Sequence, residues 1–335
     1  MEYPHSHFLP CVSSDVDVIC EGDSYVIRNV LGEQLSALCR NIDLLESEIN
    51  FVDMLHGGSP VARKVALQGD IDADGDFPLY RTPADFMLEV LPWSQTVFEI
   101  KSNLQERLGM TFNHVKMQLY RDGSDYITKH SDKTLDIKMG STIVNLNVGT
   151  TRTFTLQNKT TRENLHIPFH HNTAILIGWD TNKRWWHSVK KDPAVHDKRI
   201  SMVFRDIATF VTVLPEEGTK RVLYGQGATC KEKHTAILRA VDRAYIDRNT
   251  PISEEVTGTF DQKSFPNQQQ SVHADVIQET HLLQQAFSHE NREVDFDWSV
   301  WYGRGFDVLD FRSCLQAPHG DIGLSAEAPD NGAVP

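Results

Sequence analysis

The feature that most constrains the fold is a series of short apolar segments between residues 113 and 212, each bounded by turn residues or polar breaks. Segments of this length and spacing are typical of strands in a double-sheet jelly roll or a barrel. They read HVKMQLYR, STIVNLNVG, TRTFTLQN, TAILIGW and RISMVFRD. The sequence therefore predicts an α+β protein whose core is mainly β.

Helices are predicted before these strands. Residues 31–56 carry apolar side chains at helical spacing, which indicates one amphipathic helix. A second helix is predicted from Ser94 or Thr96 to Leu108, and Gly109 ends it. We expect these N-terminal helices to pack on one face of the sheet.

After residue 213 the strand pattern weakens, and helices are predicted near 232–247 and 273–289. Residues 296–311 are too aromatic to be free in solvent, so we expect them to dock on the core. The end of the chain is rich in Gly, Ala, Pro and acidic residues, a composition typical of disorder. The predicted division is an N-terminal part (1–110), a core (111–212), a partly helical C-terminal extension docked on the core (213–312) and a disordered tail (313–335).

Composition excludes several classes of protein. No apolar run approaches the roughly 20 residues that span a bilayer, and MEYPHSHFLPCVSSD lacks the basic start and apolar core of a secretory signal. The five cysteines are scattered and form no CxxC pair, which argues against a disulfide framework and a structural zinc site. We therefore expect a cytoplasmic or nuclear location, with no membrane and no obligate protein partner.

The motif His130-Ser131-Asp132 is the first candidate for chemistry. Residues i and i+2 of an extended segment point to the same side, so both side chains can reach one cation. His187, which follows the TAILIGW segment, can supply a third ligand. Two imidazoles and one carboxylate, with open coordination positions, suit a non-haem Fe(II) oxygenase. In a chain with 15 histidines an isolated HxD motif has low specificity, so the prediction depends on the residues that follow.

The predicted strand RISMVFR adds two arginines. Arg199 and Arg205 lie six residues apart, and an even separation puts both guanidinium groups on one face of a strand. Buried arginines are costly without anions. A dicarboxylate co-substrate can meet Arg199 in a bidentate pair, whereas Arg205 can face Asp132 or the carboxylate bound to the metal.

The run QLYRDGSDYITKHSDKT, followed by VGTTRTFTL, WWHSV and RISMVFRD, resembles the AlkB-like Fe(II)- and 2-oxoglutarate-dependent dioxygenases over roughly residues 55–210. The resemblance implies a double-stranded β-helix (a jelly roll) with preceding helices. It also implies Fe(II) as cofactor, with 2-oxoglutarate and O2 as co-substrates. The C-terminal extension resembles those of fungal members. The residues whose order and spacing match the family are His130, Asp132, His187, Arg199 and Arg205.

The resemblance assigns further roles. Tyr120 matches the tyrosine that hydrogen-bonds 2-oxoglutarate, and Gln118 stands where repair members usually carry asparagine. The stretch PVARKVALQGDIDADGDFPLYRTP resembles the substrate lid, which makes Tyr80 and Arg81 candidate substrate contacts; a buried tyrosine is the alternative for Tyr80. The tryptophans of the WWHSV motif are also candidate substrate contacts, with packing beside the metal as their alternative: Trp185 and Trp186.

Two substrate classes fit this chemistry. An alkylated nucleic acid needs aromatic side chains for a flipped base and cations for phosphates. A net charge of −13 disfavours a polyanion, although residues 111–210 carry 15 basic and 9 acidic side chains. The sequence favours a small-molecule substrate, hydroxylated with release of succinate and CO2, and leaves oxidative demethylation of alkylated DNA or RNA as the alternative. Side chains available to a nucleic acid are Tyr80, Trp179, Lys183, Arg184, Trp185, Trp186, Lys190 and Lys191.

Two other classes fit less well. A pseudo-enzyme would not need all three metal ligands and both arginines. A cupin-like zinc or manganese enzyme would share the jelly roll, but we would expect more histidine ligands and no paired inward arginines.

Overall fold

The computed structural model describes residues 15–214, 220–249 and 268–312, so the predicted disordered tail lies outside the described residues. The strands are β1 (Val16–Ile19), β2 (Ser24–Arg28), β3 (Val52–His56), β4 (Ser59–Gly69), β5 (Phe77–Pro78), β6 (Val90–Leu91), β7 (His114–Tyr120), β8 (Ile127–His130), β9 (Ile143–Gly149), β10 (Arg152–Asn158), β11 (Asn164–Phe169), β12 (Thr173–Ile177), β13 (Trp185–Val189), β14 (Arg199–Arg205), β15 (Thr209–Leu214) and β16 (Lys220–Gly225). The helices are α1 (Glu33–Cys39), α2 (Ile42–Glu48), α3 (Gln95–Leu108), α4 (Trp179–Arg184), α5 (Lys233–Asn249), α6 (Gln268–Arg292) and α7 (Trp298–Tyr302).

Two sheets form the core. Within the described residues the larger sheet has the order β1-β2-β12-β9-β14-β7-β4-β3, with β6 parallel to β4, and the smaller has the order β11-β10-β13-β8. Between them lies one apolar cluster, to which Ile175 and Val203 contribute from the larger sheet and Phe154 and Phe169 from the smaller. The predicted α+β fold with a mainly β, double-sheet core is confirmed.

The other face of the larger sheet is covered by α1, α2 and α3. Ile200, Met202 and Phe204 of β14 face these helices, and Leu104 of α3 belongs to the same buried cluster. Because side chains alternate along a strand, the polar set of β14 points into the space between the two sheets. The predicted second helix is confirmed as α3, and Gly109 ends it in the left-handed conformation (φ 61°) that glycine adopts at low cost.

The prediction of a single helix over residues 31–56 is wrong. The segment forms α1, α2 and then the strand β3. Asn41 separates the helices, since its side chain accepts a hydrogen bond from the backbone N–H of Leu44 and so begins α2. The spacing of apolar residues does not reveal a cap of this kind, so it could not predict the break between α1 and α2. The strands β1 to β4 also pair into the larger sheet, so the predicted N-terminal part contains strands as well as helices.

The C-terminal segments pack beside the β core. α5 and α6 correspond to the predicted helices near 232–247 and 273–289. Phe296, Tyr302 and Phe306 form a buried cluster with Phe287 of α6 and Leu135 of the core. In the described parts of the chain, no helix combines the length and apolar character needed to cross a membrane.

Candidate metal centre and active site

The three predicted metal ligands meet between the sheets. His130 ends β8 and lies opposite His187 in the antiparallel pairing of β8 with β13. Asp132 Oδ1 lies 3.9 Å from the Nε2 atom of each histidine. One ligand atom from each residue falls within 4.8 Å of the others. Two imidazoles and one carboxylate in this arrangement are a donor set suited to Fe(II).

The protonation states of the cluster favour metal binding. Burial lowers the pKa of both His130 and His187, so their rings are neutral at pH 7 and each can offer a lone pair. Burial alone would raise the pKa of Asp132, but the charge of Arg205 holds that pKa below its usual range. The cluster therefore presents one negative charge and two neutral nitrogen donors.

A hydrogen bond orients the ring of His130, and stacking orients the ring of His187. His130 Nδ1 lies 2.9 Å from the carbonyl oxygen of Thr128. Since a carbonyl only accepts, Nδ1 must carry the proton, which leaves Nε2 as the donor to a metal. The ring of His187 stacks on Phe154, with centroids 5.5 Å apart and an interplanar angle of 16°.

Two side chains fix Asp132. Arg205 Nη2 donates to Asp132 Oδ2 at 2.6 Å, which leaves Oδ1 on the side of the histidines. Asn182 accepts from the backbone N–H of Asp132 and donates to its carbonyl, both at 2.9 Å. The Arg205 guanidinium lies over the ring of Tyr80, 4.0 Å from its centroid. The carboxylate is thus positioned through its side chain and its backbone.

Arg199 lies at the other end of β14 and is 1% exposed. Its Nε and Nη1 atoms have no hydrogen-bond partner in the described residues. Burial lowers its pKa to about 10, so it stays charged at pH 7. The rings of Tyr120 and Phe169 lie 4.7 and 5.3 Å from its Cζ atom. A buried cation with free donors is costly unless an anion meets it, which fits the distal carboxylate of a dicarboxylate.

A cleft open to solvent, with about 400 Å³ of empty space, lies at the three candidate metal ligands. Gln118 and Tyr120 line it from β7, although the side-chain oxygen of Gln118 already accepts a hydrogen bond from Arg63. Arg199 does not itself line the cavity, but it lies on the same face of β14 as Ser201, which does. The donor set and Arg199 together fit a divalent metal and a dicarboxylate. The complete lining is Gln118, Tyr120, Ile127, His130, Asp132, Ile143, Asn145, Phe154, Ile177, His187, Val189, Ser201, Val203 and Arg205.

The structure does not bring Arg81 to this cavity. The residue is 2% exposed, and its guanidinium is ion-paired with Asp136 at 2.6 Å and donates to the carbonyls of Gly227, Phe306 and Val308. These bonds occupy the guanidinium of Arg81, which joins separate segments of the fold and does not reach the position predicted for a substrate contact. Tyr80 is also buried, in the apolar cluster between the sheets.

The two tryptophans before His187 point to opposite faces of β13. Trp185 is buried, and its indole N–H donates to Glu21 at 2.8 Å. Trp186 lies on the outer face, where its indole N–H donates to the carbonyl of Asn291 at 2.6 Å. Neither lines the cavity, so neither is brought to the position predicted for a substrate contact.

The polar residues that support the candidate ligands were not predicted from the sequence. Asn182 occupies the short helix α4, and Glu290 and Asn291 lie near the end of α6. Ser131 N–H donates to Asn291 Oδ1 at 2.9 Å across 160 residues of chain. No local motif marks such residues. An asparagine five positions before a predicted ligand is the only sequence signal that could have pointed to Asn182.

Comparison with known proteins gives an independent result. A family model described as the 2OG-Fe(II) oxygenase superfamily matches residues 23–205, more than half of the chain. A human protein named DNA oxidative demethylase ALKBH2 is 28% identical over 141 residues, which are 40% of this chain and 54% of that protein. A rat protein named alpha-ketoglutarate-dependent dioxygenase alkB homolog 3 is 30% identical over 124 residues, 34% of this chain and 42% of that protein.

The matched segment therefore spans about half the length of these relatives. Among solved structures, OsALKBH1 is 11% identical with a TM-score of 0.41, and the alignment covers 57% of this chain and 99% of that one.

Proposed function

Because the chain belongs to the 2OG-Fe(II) oxygenase superfamily, we propose that it is a dioxygenase that hydroxylates a C–H bond of an organic substrate. In the same reaction 2-oxoglutarate is converted to succinate and CO2. The observation that carries the proposal is the cluster of His130, Asp132 and His187 on the same inner surface as the unpartnered guanidinium of Arg199.

The chemistry that Fe(II) supplies when bound is activation of O2, coupled to oxidative decarboxylation of 2-oxoglutarate. His130 Nε2, His187 Nε2 and Asp132 Oδ1 would hold the metal. Arg205 keeps Asp132 ionised and fixes its orientation. Arg199 binds the distal carboxylate of 2-oxoglutarate, and the apolar walls of the cavity limit the access of water.

For the substrate, we propose a methylated base of a nucleic acid. Close to β8 three cations lie over aromatic rings: Lys129 and Arg162 over Trp186, at 5.7 and 5.0 Å, and Lys191 over Tyr126, at 4.9 Å. Cations and aromatic faces side by side suit phosphates and unstacked bases. The name of the human relative states the same activity on DNA. A methyl carbon bonded to nitrogen, once hydroxylated, leaves as formaldehyde when the C–N bond breaks; the electron pair stays on the nitrogen, the hydroxyl proton is released, and the unmethylated base is restored.

The small-molecule substrate favoured by the net charge of −13 is the second candidate. It differs from the first in one measurable respect, because it requires no polyanion for turnover.

Succinate formation by the Fe(II)-loaded full chain, with 2-oxoglutarate in air, separates the two. We expect stimulation by single-stranded DNA containing 1-methyladenine but not by the same sequence unmethylated, and release of formaldehyde. His130→Ala is the control and should abolish turnover. Stimulation only by a metabolite extract would replace the nucleic acid with a small molecule. Turnover that His130→Ala leaves intact would refute the dioxygenase assignment.

The cation–aromatic surface has its own test. Lys129→Ala and Arg162→Ala together should weaken binding of DNA and lower the slope of log affinity against log salt, by about 1 for each phosphate that the protein no longer neutralises. Lys138→Ala is a control, because Lys138 is exposed and pairs with Asp206, and neither residue lines the cavity. An equal fall in affinity in the control would argue against a defined DNA surface.

A further inference from the structure

The segment that carries Asp132 is not part of a strand. β8 ends at His130, and residues 131–134 form no ladder hydrogen bonds that would satisfy their backbone. Side chains take that role instead. The N–H of Ser131 donates to Asn291 Oδ1, and that of Thr134 donates to Glu290 Oε1, both at 2.9 Å. Two of the groups that hold the metal-ligand segment therefore come from α6, in the C-terminal extension.

Glu290 is the buried centre of this contact. Its side chain is 6% exposed and accepts hydrogen bonds from the hydroxyl groups of Thr134 and Tyr302, the latter at 2.7 Å. Lys133 Nζ lies 3.9 Å from the same carboxylate. Glu290 thus contacts the segment after Asp132 and Asn291 contacts it before Asp132, so the end of α6 is fixed against the segment on both sides of the ligand.

Asn291 also reaches the other half of the metal site. Its side chain holds Ser131, which lies between His130 and Asp132. Its backbone carbonyl accepts from the indole N–H of Trp186, the residue directly before His187, at 2.6 Å. One residue of the C-terminal extension thus bridges the two segments that carry all three ligands.

The end of α6 is itself anchored to the β core. Lys159 Nζ donates to the carbonyls of Glu290 and Glu293, at 3.0 and 3.4 Å. These are backbone oxygens of the last helical turn and the residue just beyond it, where a cation is favourable. The bridge through Asn291 is consequently held from the side of the smaller sheet as well.

We propose that Asn291 is a positioning residue of the metal site: it sets the spacing between the His130–Asp132 segment and His187, so that the C-terminal extension completes the site. The inference rests on the proposed function, because it takes the three residues to be metal ligands. Groups that orient metal ligands typically change metal affinity by about 10- to 100-fold when removed.

The test is a titration of the full-length metal-free protein with Co(II), followed by its visible absorption. Asn291→Leu removes the acceptor for Ser131 N–H at similar side-chain volume, and we expect the Kd for Co(II) to rise about 10- to 100-fold. Asn291→Asp keeps an acceptor oxygen and should retain most of the affinity. Trp186→Phe removes the other bond of the bridge and should also raise the Kd, which provides a second variant if Asn291→Leu does not fold.

Leu283→Ala is the control for a general loosening of α6. Leu283 is buried in the same helix but contacts the apolar cluster rather than residues 131–134, so its substitution should lower the Tm and leave the Kd unchanged. The inference is overturned if Asn291→Leu and Trp186→Phe bind Co(II) as tightly as wild type, or if Leu283→Ala weakens binding equally. Binding that His130→Ala does not reduce would instead overturn the proposed function, and the inference with it.

Discussion

Arg199 and Arg205 lie at the two ends of β14, on the same face of the strand, yet their surroundings differ. Arg205 donates through both Nη atoms, to Asp132 and to the carbonyl of Val203, and Tyr80 covers its guanidinium; among its donor atoms Nε has no partner in the described residues. Arg199 is equally buried, but its Nε and Nη1 atoms have no partner in the described residues. Folding therefore gives Arg205 a carboxylate partner, whereas Arg199 has no such partner within the described residues, and under the proposed function a ligand supplies it.

A third buried cation lies on the same inner surface. Lys116 of β7 pairs with Val203, and its Nζ atom lies 3.4 Å from Thr82 Oγ1 and 3.8 Å from Met54 Sδ. No carboxylate of the described residues forms an ion pair with it. Burial lowers the pKa of Lys116 to about 7. Unlike an arginine, a lysine can relieve the cost of burial by losing its proton.

We expect the largest effect on stability from substitution of Arg205, which is ion-paired with Asp132. Arg205→Met leaves the carboxylate of Asp132 buried without its counter-ion, so we expect the free energy of unfolding to fall by about 3–5 kcal/mol. Urea denaturation of the metal-free protein at pH 7 measures this change. A decrease below about 1 kcal/mol would mean that the ion pair contributes no more than an exposed one.

The next effect depends on pH. The unfolded chain keeps a proton on Lys116 up to about pH 10.4, whereas the folded protein releases it near pH 7, so stability should rise between these values. The slope is at most about 1.4 kcal/mol per pH unit. Lys116→Met removes this contribution. The variant should therefore be more stable than wild type at pH 7, and the difference should shrink toward pH 10; a constant difference in urea denaturation would contradict the assignment.

We expect the smallest effect on stability from substitution of Arg199. Without 2-oxoglutarate, Arg199→Met removes a charge that has no counter-ion, so stability should change by less than about 1 kcal/mol or increase. The same urea experiment compares it directly with Arg205→Met, since residue type, substitution and strand are shared. A destabilisation equal to that of Arg205→Met would remove the distinction between the two ends.

Local patterns were sufficient to predict that His130 and Asp132 share one side of the chain and that Arg199 and Arg205 share one face of a strand. His130 and Asp132 lie two residues apart on an extended segment, and Arg199 and Arg205 lie six apart on a strand, so alternation alone places each pair on one face. The strands from residue 113 onward are bounded by turn residues that are also readable locally.

The features that were not predicted depend on contacts between residues that lie far apart along the chain. Arg81 and Arg199 carry the same side chain, so the sequence alone cannot distinguish their roles. The fold shows that the guanidinium of Arg81 is already bonded to Asp136 and to three backbone carbonyls. Asn291 acts across 160 residues, and nothing in its neighbourhood marks it. The helix predicted over residues 31–56 failed because a cap at Asn41 and the edge position of β3 outweigh apolar spacing.

The most direct test of the account is calorimetric titration of 2-oxoglutarate into the Mn(II)-loaded protein, with wild type and Arg199→Met compared. The ligand 2-oxopentanoate, which has the same chain length but no distal carboxylate, is the matched control. We predict that Arg199→Met weakens 2-oxoglutarate binding by about 100-fold and leaves 2-oxopentanoate binding unchanged. Equal affinity of wild type and Arg199→Met for 2-oxoglutarate would contradict the claim that the unpartnered arginine is the ligand-completed end of the site.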